Sequence, residues 1–415
     1  MISLVEVYTP VKGSDVRAGI ARFNLRRGSI SATFTYDDEF LANSCSYAID
    51  PHMPLSDKTH HIRGLPGAFR DSAPDRWGRN LILRQSRAEA LGRSMVLRAF
   101  DEVDFLISVF DQTRQGALRY RSSPDATWLS PHRGIPPIIQ LPALLQASKQ
   151  LAQEAEGKEA LKLLLDAGSG SLGGARPKAS VMDGDRLLIA KFSHPTDDWD
   201  VLVWEKTSLD IAQAAGIRTP ESRLVKVGTE RVLLLERFDR IGSLGAGARL
   251  PYISAMSLLA SEDGSTSDYT ELAEAISFFV ADPNKEILEL MTRIALMIAL
   301  HNTDDHMRNH GFLKAKTGWA LSPIFDINPS PYANSDRVTL ILGETGTQEA
   351  HALKNLFNTF GVTDKKAGEA VKKVLSAMSN WRLAASRNGC SDAEINMFAP
   401  VFSDRSKALE RAFGL

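Results

Sequence analysis

The residues best suited to chemistry lie in one run, His301-Asn302-Thr303-Asp304-Asp305-His306-Met307-Arg308-Asn309-His310, directly after an almost wholly apolar stretch ending at Leu300. Packing alone gives no reason for such polar density. Asp304 and Asn309 stand five apart, the spacing at which phosphotransferases set a carboxylate that accepts a hydroxyl proton and an amide that holds Mg²⁺. A further carboxylate, Asp326 in Leu321-Ser322-Pro323-Ile324-Phe325-Asp326, follows two short apolar segments that read as a hairpin. Mg²⁺ is a hard cation that binds through one or two carboxylates plus substrate phosphate, so Asn309 and Asp326 suit it chemically. His306 and His310 offer a rival metal pair one helical turn apart, but Met307 stands where the zinc-protease pattern needs glutamate.

A second constellation is Gly168-Ser169-Gly170-Ser171-Leu172-Gly173-Gly174. Such a loop lets backbone N–H groups close on phosphate oxygens, because glycine presents no Cβ. It does not read as a dinucleotide fold, since Pro177 leads towards a strand rather than a helix, nor as a Walker A loop, since Gly174 stands in the lysine position. Downstream, Leu187 to Phe192 is an apolar strand with Lys191 near its end, which puts an ammonium beside nucleotide phosphates. The segment from Asp198 to Ala215 reads as a helix carrying Glu205, a carboxylate suited to pairing with Lys191. Val232 to Arg240 is a buried strand running into a charged turn, a hinge offering backbone groups to an adenine.

In combination these segments resemble the HipA-like serine/threonine kinases, the toxin halves of bacterial toxin–antitoxin pairs. The resemblance covers nearly the whole chain. Ser171-Leu172-Gly173-Gly174-Ala175-Arg176-Pro177-Lys178 is similar to the family's phosphate-loop motif, Glu236-Arg237-Phe238-Asp239-Arg240 to its hinge, Asn302 to Asn309 to its catalytic loop and Ile324-Phe325-Asp326 to its metal-binding segment. Leu65-Pro66-Gly67-Ala68-Phe69, Pro74-Asp75-Arg76-Trp77-Gly78 and Gln115-Gly116-Ala117-Leu118-Arg119-Tyr120 resemble its N-terminal subdomain. The resemblance implies ATP and Mg²⁺ as cofactors, with Lys191 as phosphate ligand and Ser169, Gly170, Ser171, Leu172, Gly173, Gly174 and Lys178 around the nucleotide. It implies Glu236 and Phe238 as the adenine hinge, Asp304 as base, His306 beside it in the catalytic loop, and Asn309 and Asp326 as metal ligands. Ser171 falls at the family's autophosphorylated serine, with Ser169 an equally placed alternative. A protein substrate and a small DNA-binding antitoxin partner are implied as well. Two residues depart from the pattern: Asp305 stands where a small residue is common, and Arg176 where glutamine occurs.

Positioning such residues requires a folded scaffold, and 415 residues with 43% hydrophobic and 24% charged content supply one of two to three domains. The fold class expected is α+β: a bilobed protein-kinase-like arrangement with a β-rich N-terminal subdomain and a mainly helical C-lobe. The expected segments are a β-rich subdomain over 1–125, a proline-rich linker over 126–142, a small lobe over 143–236 and a helical lobe over 237–415. Strands are predicted around Val16 to Tyr36, Asp185 to Phe192 and Glu230 to Glu236. Helix is predicted over Leu141 to Ala167 and most of Tyr269 to Leu300 and Val362 to Ala412. The arginine-rich stretch from Arg76 to Arg98 reads as helices with a wet face, or as a surface that docks another protein. A net charge of −1 gives no global pull towards nucleic acid, so none is expected to bind the isolated chain directly. The longest apolar run, Ile294 to Leu300, is far short of the roughly 20 residues that span a bilayer, and Glu6 interrupts any signal-peptide core. With only Cys45 and Cys390, the chain suits a reducing cytoplasm. The same machinery would serve a small-molecule or lipid kinase, or, without chemistry, a silent partner-binding module; intact Lys191, Asp304, Asn309 and Asp326 favour an enzyme.

Overall fold

The computed structural model describes the whole chain except residues 1–2, 27, 93, 95–98, 131–133, 154–156, 170–175 and 244–246. The chain packs as two compact units, one formed by residues 1–196 and 226–253, the other by residues 197–225 and 254–415.

The first unit opens with β1 (Leu4–Val11), β2 (Ser14–Arg26), β3 (Ser29–Tyr36), β4 (His60–Arg63) and β5 (Arg119–Arg121), an antiparallel sheet in the order β4-β3-β2-β1-β5. β1 and β2 are joined by Lys12-Gly13, both in the left-handed region at φ 51° and 85°, the turn whose twist matches flanking strands. In β3 the alternating Ala32, Phe34 and Tyr36 are at most 3% exposed, and they pack with Val5, Val7, Phe69 and Tyr120. Around them lie α1 (Asp38–Ala42), α2 (Gly67–Asp71), α3 (Arg76–Gly92) and α4 (Glu102–Ser108). α3 buries Trp77, Leu81 and Ile82. Its arginines are divided in use: Arg79 forks onto the Glu102 carboxylate at 2.6 Å from each terminal nitrogen, Arg84 donates to the Leu151 carbonyl at 2.9 Å, and Arg76 and Arg87 are exposed.

Next come α5 (Leu141–Ala152) and α6 (Lys158–Asp166), packed on each other, and a sheet of β6 (Lys178–Asp183), β7 (Arg186–Lys191), β8 (Ser222–Val227) and β9 (Glu230–Glu236) in the order β6-β7-β9-β8. The end of the proline-rich stretch is built into this layer. Pro137 bridges to Met182, whose N–H donates to Pro136 at 2.9 Å, and Ile138–Gln140 forms a tight turn into α5. A ribbon of β10 (Arg240–Ile241) and β11 (Ala248–Arg249) and then β12 (Tyr252–Ser254) follow.

The second unit is mainly helical. It contains α7 (Val201–Ala214), α8 (Ala255–Leu258), α9 (Tyr269–Phe279), α10 (Pro283–Ala299), α11 (Glu349–Thr359), α12 (Asp364–Met378), α13 (Trp381–Asn388) and α14 (Asp392–Phe413), with β13 (Ser267–Asp268), β14 (Gly311–Ala315), β15 (Gly318–Leu321) and β16 (Thr339–Leu340) between them. Residues 197–225, read from sequence within the small lobe, belong here. α7 is buried on nearly every side and takes its apolar neighbours from α12 and α13; Trp204 is fully buried, with its ring 3.9 Å from that of Phe398. At the centre runs α10, whose residues from Ile294 to Leu300 are at most 1% exposed.

Candidate active site

In the first unit the β6–β7 ladder sets Lys178 directly opposite Lys191, at 3% and 9% exposure. Two ammonium groups facing each other on a strand pair repel, so their burial needs negative charge nearby. Asp75 supplies part of it, with a carboxylate oxygen 2.7 Å from the Lys178 Nζ. Its other oxygen accepts the Gly78 N–H at 2.7 Å, which anchors the start of α3. The strand that carries Lys178 is reached from α6 through the glycine loop, and Gly170, Ser171, Leu172, Gly173 and Gly174 lie outside the described residues. Ser169, at the loop's entry, is fully buried, and Gly168 takes φ 63° where a Cβ would fall 2.7 Å from Thr113. Glu236 ends β9 with a carboxylate oxygen 3.3 Å from Arg186, and Phe238 is half-buried with its ring centred 6.4 Å from that of Tyr252. Lys191 belongs to the first unit and Glu205, buried on α7, to the second.

The segment read as a hinge carries a buried ion network that the sequence reading missed. Arg237 and Asp239 are buried at 5% and 1% exposure, and Asp239 accepts from Arg237 at 2.7 and 2.6 Å, from Arg240 at 2.9 Å and from the Gly116 N–H at 2.7 Å. Arg237 also donates to the Thr113 carbonyl at 3.0 Å, and Arg240 to those of Arg114 and Gly116 at 2.7 and 3.1 Å. Burial opposes ionisation of Asp239, but the two guanidiniums and the Gly116 amide outweigh it and hold its pKa well below the usual carboxylate range. The clue available in sequence was charge itself: Arg-Phe-Asp-Arg at the end of a buried strand must find partners.

In the second unit α10 is closed by His301 in the left-handed conformation, φ 51°, with the Asn302 N–H donating to Met297 at 2.9 Å. Residues 302–310 then form a loop with one tight turn at Met307–Asn309, so His306 and His310 are not one helical turn apart. Within it the neighbouring aspartates take opposite positions. Asp304 is exposed, whereas Asp305 is 1% exposed and is held by His310 Nε2 at 3.2 Å and by the Tyr269 hydroxyl. Burial pushes the Asp305 pKa up, but His310, Tyr269 and the Arg337 charge more than reverse this, and the carboxylate stays ionised below its ordinary range. The Thr339 hydroxyl donates to the Asp305 carbonyl at 2.6 Å, Arg337 to the Asn302 carbonyl at 3.0 Å, and the Ala255 N–H to the His310 carbonyl at 2.7 Å. Asn309 donates its side-chain N–H to the Asp304 carbonyl at 3.2 Å, which fixes the amide and leaves its Oδ1 as the atom suited to a cation. His306 is half-buried beside them.

The β14–β15 hairpin links Asn309 to Asp326. Phe312 pairs with Leu321, and the Ser322 N–H donates to the Gly311 carbonyl at 2.7 Å, so the chain leaves the hairpin's open end towards Asn309 on one side and Asp326 on the other. Asp326 has φ 59°, an uncommon backbone for a residue with a side chain.

Replacing Asp305 by asparagine removes a charged acceptor from two buried donors, and hydrogen bonds to charged groups contribute about 1.5–3 kcal/mol each. Asp305→Asn is expected to lower unfolding free energy by about that amount, read as a reduced denaturant midpoint at unchanged slope. A midpoint equal to that of the parent chain would show that the buried cluster does not hold the loop.

Residues 13–134 match the HipA N-terminal domain and residues 170–381 the HipA-like C-terminal domain. Among curated proteins, Toxin YjjJ of Escherichia coli K12 is 25% identical over 288 residues, covering 65% of this chain and 61% of that relative, less than two thirds of its length. Among solved structures, HipA of Shewanella oneidensis MR-1, in a complex with HipB and operator DNA, covers 99% of this chain and 98% of its own, with a TM-score of 0.67 at 14% identity. The Helicobacter pylori proinflammatory kinase CtkA covers 59% of this chain and 94% of its own at a TM-score of 0.42 and 16% identity. Among the described residues no helix is long and apolar enough to cross a membrane. With the HipA N-terminal and HipA-like C-terminal family domains following in order along one chain, the chain belongs to the HipA family.

Proposed function

We propose that this chain is an ATP- and Mg²⁺-dependent serine/threonine protein kinase of the HipA toxin type, active in the cytoplasm and held in check by a small DNA-binding antitoxin. The observation that carries the reading is the catalytic-loop segment: it is clamped at Asp305, Asn309 and His310, yet presents Asp304 outward. A general base must be fixed in place and reachable by a substrate hydroxyl, and this arrangement meets both needs. Asp304 would accept the hydroxyl proton, and Asn309 and Asp326 would offer hard oxygen donors to Mg²⁺. Lys178 and Lys191, opposed on one ladder, form a cationic pair suited to a polyphosphate. ATP and Mg²⁺, when bound, supply the transferable phosphoryl group and the charge that balances it. Glu236 and Phe238 are assigned to the adenine. The antitoxin partner is supported by the Shewanella relative's complex with HipB and operator DNA.

Autophosphorylation is assigned to Ser171 rather than Ser169, whose side chain is fully buried. A phosphate on Ser171 adds about −1.5 to −2 charges to the loop facing the nucleotide and would weaken ATP binding. Purified chain incubated with labelled ATP, Mg²⁺ and a cell lysate is expected to label itself on Ser171 by mass spectrometry and to label a lysate protein on serine or threonine. Label appearing only on lipid or small-molecule fractions would instead favour the alternative kinase class, and no transfer at all would overturn the assignment.

A further inference from the structure

The second unit carries a groove of about 730 Å³ between the segment from Leu259 to Thr266 and the outer face of α9. On α9, Glu271, Glu274 and Phe278 recur at helical spacing and are all exposed. Phe278 is 93% exposed, whereas its neighbour Phe279 stacks on Trp319 at 5.1 Å, so the outward ring is not a by-product of a loose helix end. Glu262 faces this helix from the opposite wall. Among the described residues none of the three glutamates pairs with a cation. The opposite wall is tied to the catalytic-loop segment, because Asp263 accepts from Arg308 through both carboxylate oxygens at 2.9 and 2.6 Å, one residue before Asn309. The wall that carries Glu262 is therefore tethered to the catalytic-loop segment at Arg308.

We propose that this groove docks the protein substrate through an extended segment carrying basic side chains followed by a large apolar one. The proposal rests on the kinase reading and names the substrate class it implies. Charge complementarity selects the occupant: three unpaired carboxylates favour arginine or lysine, and the bare Phe278 ring favours an apolar side chain at the far end. Spacing follows from geometry. Glu271 and Phe278 lie seven residues apart on a helix, about 10 Å at 1.5 Å per residue, which an extended chain covers in about three residues at 3.3 Å each.

The test uses a fluorescein-labelled glycine–serine dodecapeptide with two adjacent arginines and a leucine three residues on, titrated with the full chain without nucleotide and followed by anisotropy. The parent chain is expected to bind it in a salt-sensitive manner. Glu271→Lys/Glu274→Lys should weaken binding by roughly tenfold, as two reversed exposed pairs would, and should prefer a peptide with glutamates in place of the arginines. Phe278→Ser should weaken binding severalfold and lower its dependence on the leucine. Equal binding by parent and variants, or equal binding of both peptides by the parent chain, would overturn the proposal. So would concentration-dependent self-association in sedimentation that Phe278→Ser abolishes, which would give the face to a second copy. Because the readout needs no ATP, its failure is distinct from that of the kinase reading, which the labelled-ATP experiment decides.

Discussion

Asp304→Asn is expected to reduce phosphoryl transfer by about 10²–10⁴-fold, the usual contribution of a positioned general base, while leaving nucleotide affinity nearly unchanged. Asp304 is exposed and its neighbour Asp305 is the buried one, so the substitution leaves the Asp305 clamp on the loop intact. Asp326→Ala should be equally inactive for another reason: it removes a carboxylate offered to Mg²⁺, and ATP affinity measured by calorimetry should lose its Mg²⁺ dependence. The pair of variants separates the two roles. If Asp304→Asn retained full turnover, or if Asp326→Ala bound Mg²⁺-ATP as tightly as the parent chain, the corresponding assignment would fall.

Asp239→Asn is the substitution expected to destabilise most. It strips the shared negative partner from Arg237 and Arg240, and breaking a buried ion pair by removing one side costs about 3–5 kcal/mol. It also weakens the acceptor of the Gly116 N–H, loosening the segment from Thr113 to Gly116. The pH dependence has a fixed sign. The folded-state pKa of Asp239 is depressed, so its contribution is complete above the unfolded carboxylate value of about 3.9 and is lost only as pH falls towards the depressed folded value. The stability gap between parent and variant should accordingly be constant from about pH 5 upwards and narrow in stronger acid. A gap that instead widened on acidification, or an unchanged denaturant midpoint at neutral pH, would contradict the role given to this carboxylate.

Local pattern made much of the fold legible in the sequence. Alternation marked β2 and β3, apolar period marked α5, α6, α9, α10 and the C-terminal helices, and a lysine near the end of an apolar strand marked β7. These depend on the two-residue and 3.6-residue periods, which neighbouring residues carry by themselves. The affiliation of 197–225 was not legible, because an apolar helix states that it must be buried and not where; Trp204 found Phe398 far along the chain.

At the site the same division holds. Residue type and spacing alone singled out Asp304, Asn309 and Asp326, and the linear motifs in combination carried the resemblance to the HipA family. Which of two chemically identical neighbours faces outward was a tertiary decision: Tyr269, 36 residues before Asp305, and His310, five after it, capture that carboxylate and leave Asp304 exposed. Likewise Arg237, Asp239 and Arg240 read as a charged turn until the segment from Gln112 to Gly116, more than 120 residues earlier, supplied its carbonyls and amide. Buried charge must be paired, and the partners that satisfy it are chosen by the folded path of the chain rather than by sequence neighbours.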